Sequence, residues 1–194
     1  MTLNVRGVLV GDSNTGKSAI MQRLCGREFP VDSHATVGID VMGVKVGGFR
    51  IVLQDAAGDV RFQTAIGSYM RNIAFCIIVY DIEHTASLQR AIDWFVHIKT
   101  LNTNEHLIMY LFANKQDVPV HYVDSEEGNM VANAWGAKFV QTSAKTNQGL
   151  TDFFDGLLRE IDLVLPRIDM SDKKYGIRRE IVENRREFCW CVVA

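Results

Sequence analysis

Apolar runs alternate with segments of helical period along almost the whole of this 194-residue chain, and this alternation limits the fold more than any other feature. It is typical of a mainly parallel sheet with helices on both faces. Six runs are predicted as strands: VRGVLVG, IDVMGVKV, FRIVLQ, IAFCIIVY, LIMYLFA and AKFVQT. IAFCIIVY is apolar throughout, as expected of a central strand that is covered on both faces. The sequence therefore predicts a six-stranded α/β domain.

One turn departs from the parallel pattern. IDVMGVKV and FRIVLQ are joined by Gly47-Gly48, and a two-residue glycine turn between strands indicates a hairpin. We expect this antiparallel pair at an edge of the sheet.

Asp124 and Glu127 have the spacing of a capping box at the start of a helix. Helices are predicted at 16–25, 87–100, 125–135 and 149–165.

Residues 11–18 read GDSNTGKS, which satisfies the pattern G-x-x-x-x-G-K-[ST] between a predicted strand and a predicted helix. In such a loop the backbone N–H groups and the helix N-terminus face a phosphate. We expect Lys17 to neutralise the terminal phosphates and the Ser18 hydroxyl to ligate magnesium. The other residues of this cradle are Gly11, Ser13, Asn14, Thr15, Gly16 and Ala19. The loop predicts a nucleoside triphosphate site but does not identify the base.

The base is indicated by ANKQD at 113–117, which follows the strand LIMYLFA. Asn114 and Asp117 then lie at the carboxyl end of the sheet, where α/β sheets bind ligands. The Asp117 carboxylate can accept hydrogen bonds from N1–H and the 2-amino group of guanine, and adenine offers neither donor. ATP would leave this carboxylate unpaired, a mismatch that discriminates strongly. NKQD alone could be an exposed polar turn, but together with the phosphate loop it favours guanine.

Composition bounds the remaining possibilities. A net charge of −2, from 21 basic and 23 acidic residues, argues against a nucleic-acid surface. No apolar run approaches the roughly 18 residues of a membrane helix, and MTLNVRGVLVGD lacks the pattern of a signal peptide. Apolar density falls after Pro166. We therefore expect one GTP-binding domain at 1–166 and a flexible C-terminal tail at 167–194.

Taken together, these motifs resemble those of a Ras-superfamily small GTPase, most closely its Rab branch, over residues 5–165. The resemblance also includes TVGID at 36–40, DAAG at 55–58, RFQTAIGSYMR at 61–71, VYD at 79–81 and TSAK at 142–145. It implies the P-loop GTPase fold, GTP and GDP as ligands with Mg²⁺, and hydrolysis of GTP to GDP and phosphate. By analogy with the branch, it implies a monomeric switch in vesicle traffic with an exchange factor, an activating protein and effectors at its switch regions.

On the phosphate side, the family pattern assigns roles to three further residues. It implies that Thr36 ligates magnesium and senses the γ-phosphate through its backbone N–H. It also implies that Asp55 holds magnesium through a water, and that the Gly58 N–H contacts the γ-phosphate. With Lys17 and Asp59, Gly58 forms the expected catalytic set.

On the base side, the resemblance implies contacts from three segments. Phe29 falls at the position of the aromatic that meets the edge of the base. The side-chain stems of Lys115 and Lys145 are expected to flank the purine. The TSAK segment contributes Ser143 and Ala144, and the Ala144 N–H is expected to meet the guanine O6.

Asp59 departs from the family, which places glutamine here. Glutamine can accept a hydrogen bond from the attacking water and donate another toward the γ-phosphate. An ionised aspartate only accepts, and its charge faces oxygens that are already negative. We therefore predict slow intrinsic hydrolysis and weak activation by a conventional activating protein. Two alternatives stay open: a solvated Asp59 with a glutamine supplied by the partner, or a GTP-loaded membrane scaffold that does not hydrolyse.

Two other departures concern the partner surface. Ser33 stands where the family often has tyrosine, and Gln54 stands where the Rab branch has tryptophan. Both are expected to reduce the aromatic area on the effector face. The identity of the partners is therefore the least transferable property.

The last four residues, CVVA, match the C-a-a-X prenylation signal, in which alanine favours a farnesyl group on Cys191. Cys189 is the candidate for a second lipid, because one lipid holds a protein on a membrane only reversibly. We expect the cytoplasmic face of an intracellular membrane, with a cytosolic pool. Cys25 and Cys76 lie inside a predicted helix and strand, so the four cysteines do not form a disulfide framework.

Overall fold

The computed structural model describes residues 2–31, 35–59, 67–169, 171–179 and 190–192. Its strands and helices, in chain order, are β1 (Leu3–Gly11), α1 (Lys17–Leu24), β2 (Ile39–Val46), β3 (Phe49–Ala56), β4 (Phe75–Asp81), α2 (Thr85–Leu101), β5 (Ile108–Asn114), α3 (Ser125–Trp135), β6 (Lys138–Gln141), α4 (Phe153–Val164), β7 (Ile177–Arg179) and β8 (Trp190–Val192). Each element predicted from the sequence is present, with small shifts at its ends.

The six predicted strands form a continuous sheet in the order β6-β5-β4-β1-β3-β2. β1 runs parallel to β3 and β4, and β5 and β6 continue the parallel part. β2 pairs antiparallel with β3, with Val46 opposite Phe49. Gly47 in the connecting turn has a φ of +56°, a conformation that favours glycine. The predicted fold class is therefore confirmed, including the antiparallel hairpin of β2 and β3.

The sheet separates two hydrophobic cores. Along β1, Val5 and Leu9 face the core under α1 and α4, whereas Val8 and Val10 face the core under α2 and α3. β4 is buried along its whole length, as its unbroken apolar sequence predicts. Burying one Val, Leu or Ile side chain stabilises a fold by about 1.5–3 kcal/mol. The loops at the carboxyl edge of the sheet therefore project from a rigid scaffold.

The helices begin in two different ways. Asp124 caps α3 by accepting a hydrogen bond from the Glu126 N–H at 3.2 Å, which confirms the predicted start of this helix. α1 follows Gly16, which has a φ of +91° and provides no side-chain cap. The first N–H groups of α1 are therefore left for a group outside the helix, as an anion-binding N-terminus requires.

The prediction of a flexible tail from residue 167 is wrong for residues 171–179. β7 adds antiparallel to the first part of β1, with Val5 opposite Ile177 and Leu3 opposite Arg179. β8 runs parallel to β2 at the far edge of the sheet. These two short strands extend the sheet to eight. Within the described ranges, no helix is long and apolar enough to cross a bilayer.

Three consecutive residues explain why the tail docks. The Tyr175 side chain is buried, stacks on His106 with ring centroids 6.0 Å apart, and donates a hydrogen bond to Glu105 at 3.0 Å. Gly176 has a φ of +68°, and a Cβ there would lie 2.4 Å from the Ala74 nitrogen, so only glycine fits. Ile177 is buried in the core beneath β1. These three residues therefore hold the segment against the domain, although apolar residues are sparse in it.

The Tyr175→Ala variant is expected to lower the free energy of unfolding by about 2–4 kcal/mol, because it removes a buried ring and leaves a cavity. The measurement is urea unfolding of the full chain followed by circular dichroism. Lys173→Ala, two residues earlier and exposed, is the matched control. A Tyr175→Ala effect as small as that of the control would contradict the docked arrangement.

Candidate nucleotide site

The phosphate loop connects β1 to α1 at the carboxyl edge of the sheet, and two of its glycines are dictated by close packing. A Cβ on Gly11, whose φ is +144°, would lie 2.1 Å from the Val79 carbonyl oxygen. A Cβ on Gly16 would lie 2.3 Å from the Asn114 Nδ2. The backbone of the loop is therefore held against β4 and β5, and a side chain at either glycine would disrupt this contact.

Lys17 is buried in the centre of this loop. Its ammonium donates a hydrogen bond to the Asp12 carbonyl at 2.7 Å. Burial holds the pKa of Lys17 below its ordinary value, although Asp55 and Asp12 act in the opposite direction. The predicted phosphate-binding cation therefore points into the loop and stabilises it.

Three oxygen-bearing side chains predicted to hold magnesium lie together beside Lys17. The Ser18 hydroxyl donates to Asp55 Oδ2 at 2.5 Å and lies 3.0 Å from the Thr36 hydroxyl, which is 3.3 Å from the same carboxylate oxygen. The second oxygen, Asp55 Oδ1, is buried and has no hydrogen-bond partner among the described residues. Burial raises the pKa of Asp55 despite its hydrogen bond from Ser18.

The turn after β3 packs directly on the phosphate loop. A Cβ on Gly58 would lie 2.5 Å from the Asp12 carbonyl carbon and from the Ser13 nitrogen. Only a residue without a side chain allows this contact, and it brings Asp59, which is half-buried, next to the loop. The structure therefore brings Gly58, Asp59 and Lys17, the expected catalytic set, to one region.

Asn114 links the phosphate loop to the predicted base-binding segments. Its Nδ2 donates to the Thr15 carbonyl at 2.8 Å, across 99 residues of chain. Its Oδ1 accepts hydrogen bonds from the Thr142 hydroxyl and the Ala144 N–H, both at 3.2 Å. This buried amide therefore fixes three segments relative to one another.

Asp117 is oriented by its neighbours on the TSAK loop. The Ser143 hydroxyl donates to Asp117 Oδ1 at 2.5 Å, and the Lys145 ammonium lies 3.7 Å from Oδ2. The Lys115 ammonium lies 2.7 Å from the buried carboxylate of Asp81, at the end of β4. Each of the two lysines thus has a carboxylate partner, Asp81 for Lys115 and Asp117 for Lys145.

Sequence reasoning missed three residues that build this site. The Thr142 hydroxyl completes the Asn114 network, and Arg23 on α1 donates hydrogen bonds to the carbonyls of Ala144 and Lys145 at 2.8 and 2.9 Å. Arg90 on α2 forms an ion pair with Asp12. Thr142 belongs to the quoted TSAK motif, but nothing in the sequence distinguishes Arg23 or Arg90 from other helix arginines.

The remaining predicted residues have mixed outcomes. Phe29 is exposed in the loop after α1, and its role at the base edge stays a prediction. Ala19 is buried in the first turn of α1. Ser33 and Cys189 lie outside the described residues. The same holds for residues 61–66 of the RFQTAIGSYMR motif.

The expectation that Gln54 lies on the effector face is wrong. Gln54 is only 3% exposed, and its amide nitrogen lies 3.4 Å from the Tyr69 carbonyl and 3.5 Å from that of Gly7. Gln54 belongs to β3, which lies between β1 and β2 in the sheet, and the segment of Tyr69 covers it. The polar side chain therefore lies in the interior. The segment that covers Gln54 carries an exposed aromatic residue of its own, Tyr69, whose exposed fraction is 46%.

A glycine loop between a parallel strand and a helix, a hydroxyl and carboxylate cluster, and an Asn-Lys-x-Asp segment define a small P-loop GTPase. Residues 6–163 match the family model described as "Ras family". The chain therefore belongs to the Ras family. This confirms the resemblance found in the sequence and the prediction of a small GTPase, an enzyme that binds guanine nucleotide and hydrolyses GTP.

Individual relatives narrow the resemblance to the Rab type. The chain is 34% identical to Ras-related protein Rab-18 of Caenorhabditis elegans over 158 residues, which cover 79% of this chain and 78% of the relative. It is 28% identical to Rab-18 of Lymnaea stagnalis over 190 residues, 96% of this chain and 94% of the relative. It is 31% identical to RABE1e of Arabidopsis thaliana over 180 residues, 90% and 82% of the two chains. The chain is thus a Rab-like small GTPase.

Proposed function

We propose that this protein is a membrane-anchored switch that binds GTP or GDP with magnesium, hydrolyses GTP slowly because of Asp59, and acts in vesicle traffic. The globular domain at 1–166, to whose sheet the docked residues 177–179 add a strand, provides the nucleotide site. The two cysteines near the C-terminus provide the anchor. Monomeric action and regulation by an exchange factor, an activating protein and effectors follow from the same family analogy. The observation that carries the proposal is the Asn114 network, which joins the phosphate loop to the Asp117 segment.

The proposed nucleotide contacts rest on this preformed frame. Backbone N–H groups of the phosphate loop, with Lys17, bind the phosphates, while Asp117 and the Ala144 N–H read the guanine edge. The support is geometric, since Ser143 holds the carboxylate that would accept from guanine. The stems of Lys115 and Lys145, with Phe29, are proposed to enclose the base.

The cluster of Ser18, Thr36 and Asp55 fits magnesium. All three offer oxygen atoms, the ligands that this hard cation prefers. Asp55 Oδ1, which is buried and has no partner among the described residues, supports the assignment, because a buried carboxylate oxygen without a partner is costly. Magnesium would neutralise charge on the phosphates when bound. Ser18 and Thr36 would ligate it, and Asp55 would hold it through a water.

Slow hydrolysis follows from the chemistry of the Gly58–Asp59 turn. Packing on the phosphate loop supports a role for the Gly58 N–H as a donor toward the terminal phosphate. The next side chain, Asp59, can accept a hydrogen bond from water but, when ionised, donates none. Its negative charge also opposes the charge that the transition state spreads over the phosphate oxygens. Both effects lower the rate relative to a glutamine at this position.

The test is single-turnover hydrolysis of GTP by purified protein loaded in the presence of magnesium, followed by phosphate release. Asp59→Gln is expected to hydrolyse GTP about tenfold faster or more, because it restores the donor and removes the charge. Asp59→Asn is the matched control, since it removes the charge at constant side-chain length. Asparagine also supplies an amide donor, so an intermediate rate for Asp59→Asn would separate the combined contribution of charge and donor from that of reach.

Other outcomes would redirect the proposal. Rapid hydrolysis by the wild type would mean that another group orients the water. Retained GTP without turnover in the wild type would favour the second candidate, a GTP-loaded membrane scaffold. An Asp59→Gln variant that is no faster than the wild type would mean that Asp59 is not what limits hydrolysis. Preferential binding of ATP would contradict the assignment of the base site.

Membrane attachment is proposed through Cys191, with Cys189 as a second lipid site. The proposal is supported by the C-a-a-X pattern in a Rab-like chain. Such an anchor would place the protein on the cytoplasmic face of an intracellular membrane, with a cytosolic pool. The association of this chain with vesicle traffic comes from its similarity to Rab proteins.

Cys191→Ser is expected to abolish prenylation and to shift the protein from the membrane to the cytosolic fraction of cells, because serine lacks the thiol that accepts the lipid. The measurements are incorporation of an isoprenoid analogue and fractionation. Cys189→Ser serves as the comparison and should keep the isoprenoid while weakening stable attachment. Unchanged membrane association of Cys191→Ser would contradict the anchor.

A further inference from the structure

We propose that Arg90 is a positioning residue of the nucleotide site. It holds the Asp12 carboxylate and offsets the negative charge that Asp12 and Asp59 bring close to the terminal phosphate, and it thereby favours GTP relative to GDP. The proposal rests on the proposed function, because it assumes that guanine nucleotides occupy the phosphate loop.

The first support is the ion pair itself. Arg90 Nε lies 3.0 Å from Asp12 Oδ2, with side-chain exposures of 49% and 27%. The other carboxylate oxygen, Asp12 Oδ1, accepts a hydrogen bond from the Ser13 N–H at 2.8 Å. The carboxylate is therefore held from both sides, and one of its two partners comes from a different element of the fold.

The second support is the position of Asp12 in the loop. Its carbonyl accepts hydrogen bonds from the Lys17 ammonium at 2.7 Å and from the Thr15 hydroxyl at 3.0 Å. The same peptide contacts Gly58, the residue before Asp59. Asp12 and Asp59 are therefore brought near each other, because the peptide after Asp12 packs on Gly58 and Asp59 directly follows that glycine.

The third support is the rigidity of the element that carries Arg90. Leu88, Ala91 and Trp94, which flank it on α2, are buried in the core beneath β4 and β5. The backbone at Arg90 is thus fixed, and its side chain reaches the phosphate loop from a packed helix. A cation on such a support can hold a loop carboxylate in one place.

The consequence for nucleotide choice follows from charge. GTP carries more negative charge than GDP, and the additional charge lies on the terminal phosphate. Uncompensated carboxylates beside that phosphate repel GTP more than GDP. Because the Arg90–Asp12 pair is partly exposed, the effect should weaken as ionic strength rises.

The test measures the dissociation rates of GDP and of a non-hydrolysable GTP analogue from the full chain in the presence of magnesium. Arg90→Ala should raise the ratio of the analogue rate to the GDP rate by about three- to tenfold at low salt, and less at high salt. Arg90→Lys should restore most of the wild-type ratio, because it retains the charge. Arg159→Ala, an exposed arginine on α4, is the matched control and should leave the ratio unchanged.

A double-mutant cycle tests the route of the effect. Asp12→Asn removes the charge and keeps an oxygen that can accept from Ser13, so adding Arg90→Ala should change the ratio less than it does in the wild type. The Asp59→Asn background measures the share of the second acid. An Arg90→Ala effect that persists in full in both neutral backgrounds would overturn the assignment.

Two results separate this inference from the proposed function. Equal acceleration of both dissociation rates in Arg90→Ala, independent of salt, would indicate a purely structural role and overturn the inference alone. A wild-type chain that binds no guanine nucleotide would overturn the proposed function, and this inference with it. A GTP-specific loss that Arg90→Lys restores would support both.

Discussion

Asp117→Asn is expected to lower the affinity for GTP and GDP by about 100-fold or more, because a carboxylate that pairs with two donors becomes an amide that matches only one. The Asp117 carboxylate is already held by the Ser143 hydroxyl, so a misplaced amide cannot easily turn away. The measurement is equilibrium binding of fluorescent GDP with unlabelled competitors. Xanthosine nucleotides, which carry a carbonyl in place of the 2-amino group, should compete better for the variant than for the wild type.

The control for this prediction is Gln116→Ala, one position earlier in the same loop. The Gln116 amide donates to the Ala113 carbonyl at 3.3 Å and is not assigned to the base. Its affinity for GDP should stay within about threefold of the wild type, as for a substitution at a polar loop position. If Asp117→Asn behaved like Gln116→Ala, Asp117 would not read the guanine edge.

Asn114→Ala is expected to lower the free energy of unfolding by about 3 kcal/mol, because it leaves buried polar groups without partners. The groups affected are the Thr15 carbonyl, the Thr142 hydroxyl and the Ala144 N–H. Loss of these bonds should also weaken nucleotide binding by separating the phosphate loop from the TSAK loop. The measurement is urea unfolding with and without GDP.

Asn133→Ala is the matched control for Asn114→Ala, since Asn133 is exposed on α3. It should change the free energy of unfolding by less than about 0.5 kcal/mol. If the stability loss of Asn114→Ala were equally small, the amide would not join the three segments as the structure indicates. A full loss of stability with unchanged GDP affinity would separate the structural role of Asn114 from its role in the site.

The sequence alone identifies Asp117 and Asn114, the residues of these two predictions, and it identifies the phosphate loop in the same way, by local signals. Gly11, Gly16 and Lys17 stand at the fixed spacing of a phosphate loop, and a predicted strand and helix flank them. Asn114 and Asp117 follow an apolar strand, so the topology of a parallel sheet places them at the same edge as the phosphate loop. Spacing within one segment and the order of elements are properties of the chain itself.

Other features depend on contacts between distant segments, and sequence patterns do not report them. Gln54 looks like a surface residue of the effector face, yet the neighbouring strand and the Tyr69 segment bury it. Arg90 looks like any exposed helix arginine until the packing of α2 brings it to Asp12. Arg23 likewise gains its two carbonyl partners only when α1 packs near the TSAK loop.

The C-terminal segment gives the clearest contrast. Its low apolar density predicts a flexible tail. Hydrophobic periodicity is read over many residues, so a few isolated apolar residues produce no signal of packing. The structure docks residues 171–179 through Tyr175, Gly176 and Ile177, whose partners lie on β1 and in the loops before β4 and β5. By itself, the sequence determined the order of strands and helices, the phosphate loop and the Asn114–Asp117 segment, since each has a local physical signature. Only the tertiary structure decided where the tail packs, which polar residues are buried and which arginines join the site, because those outcomes depend on surfaces that exist only once distant segments have met.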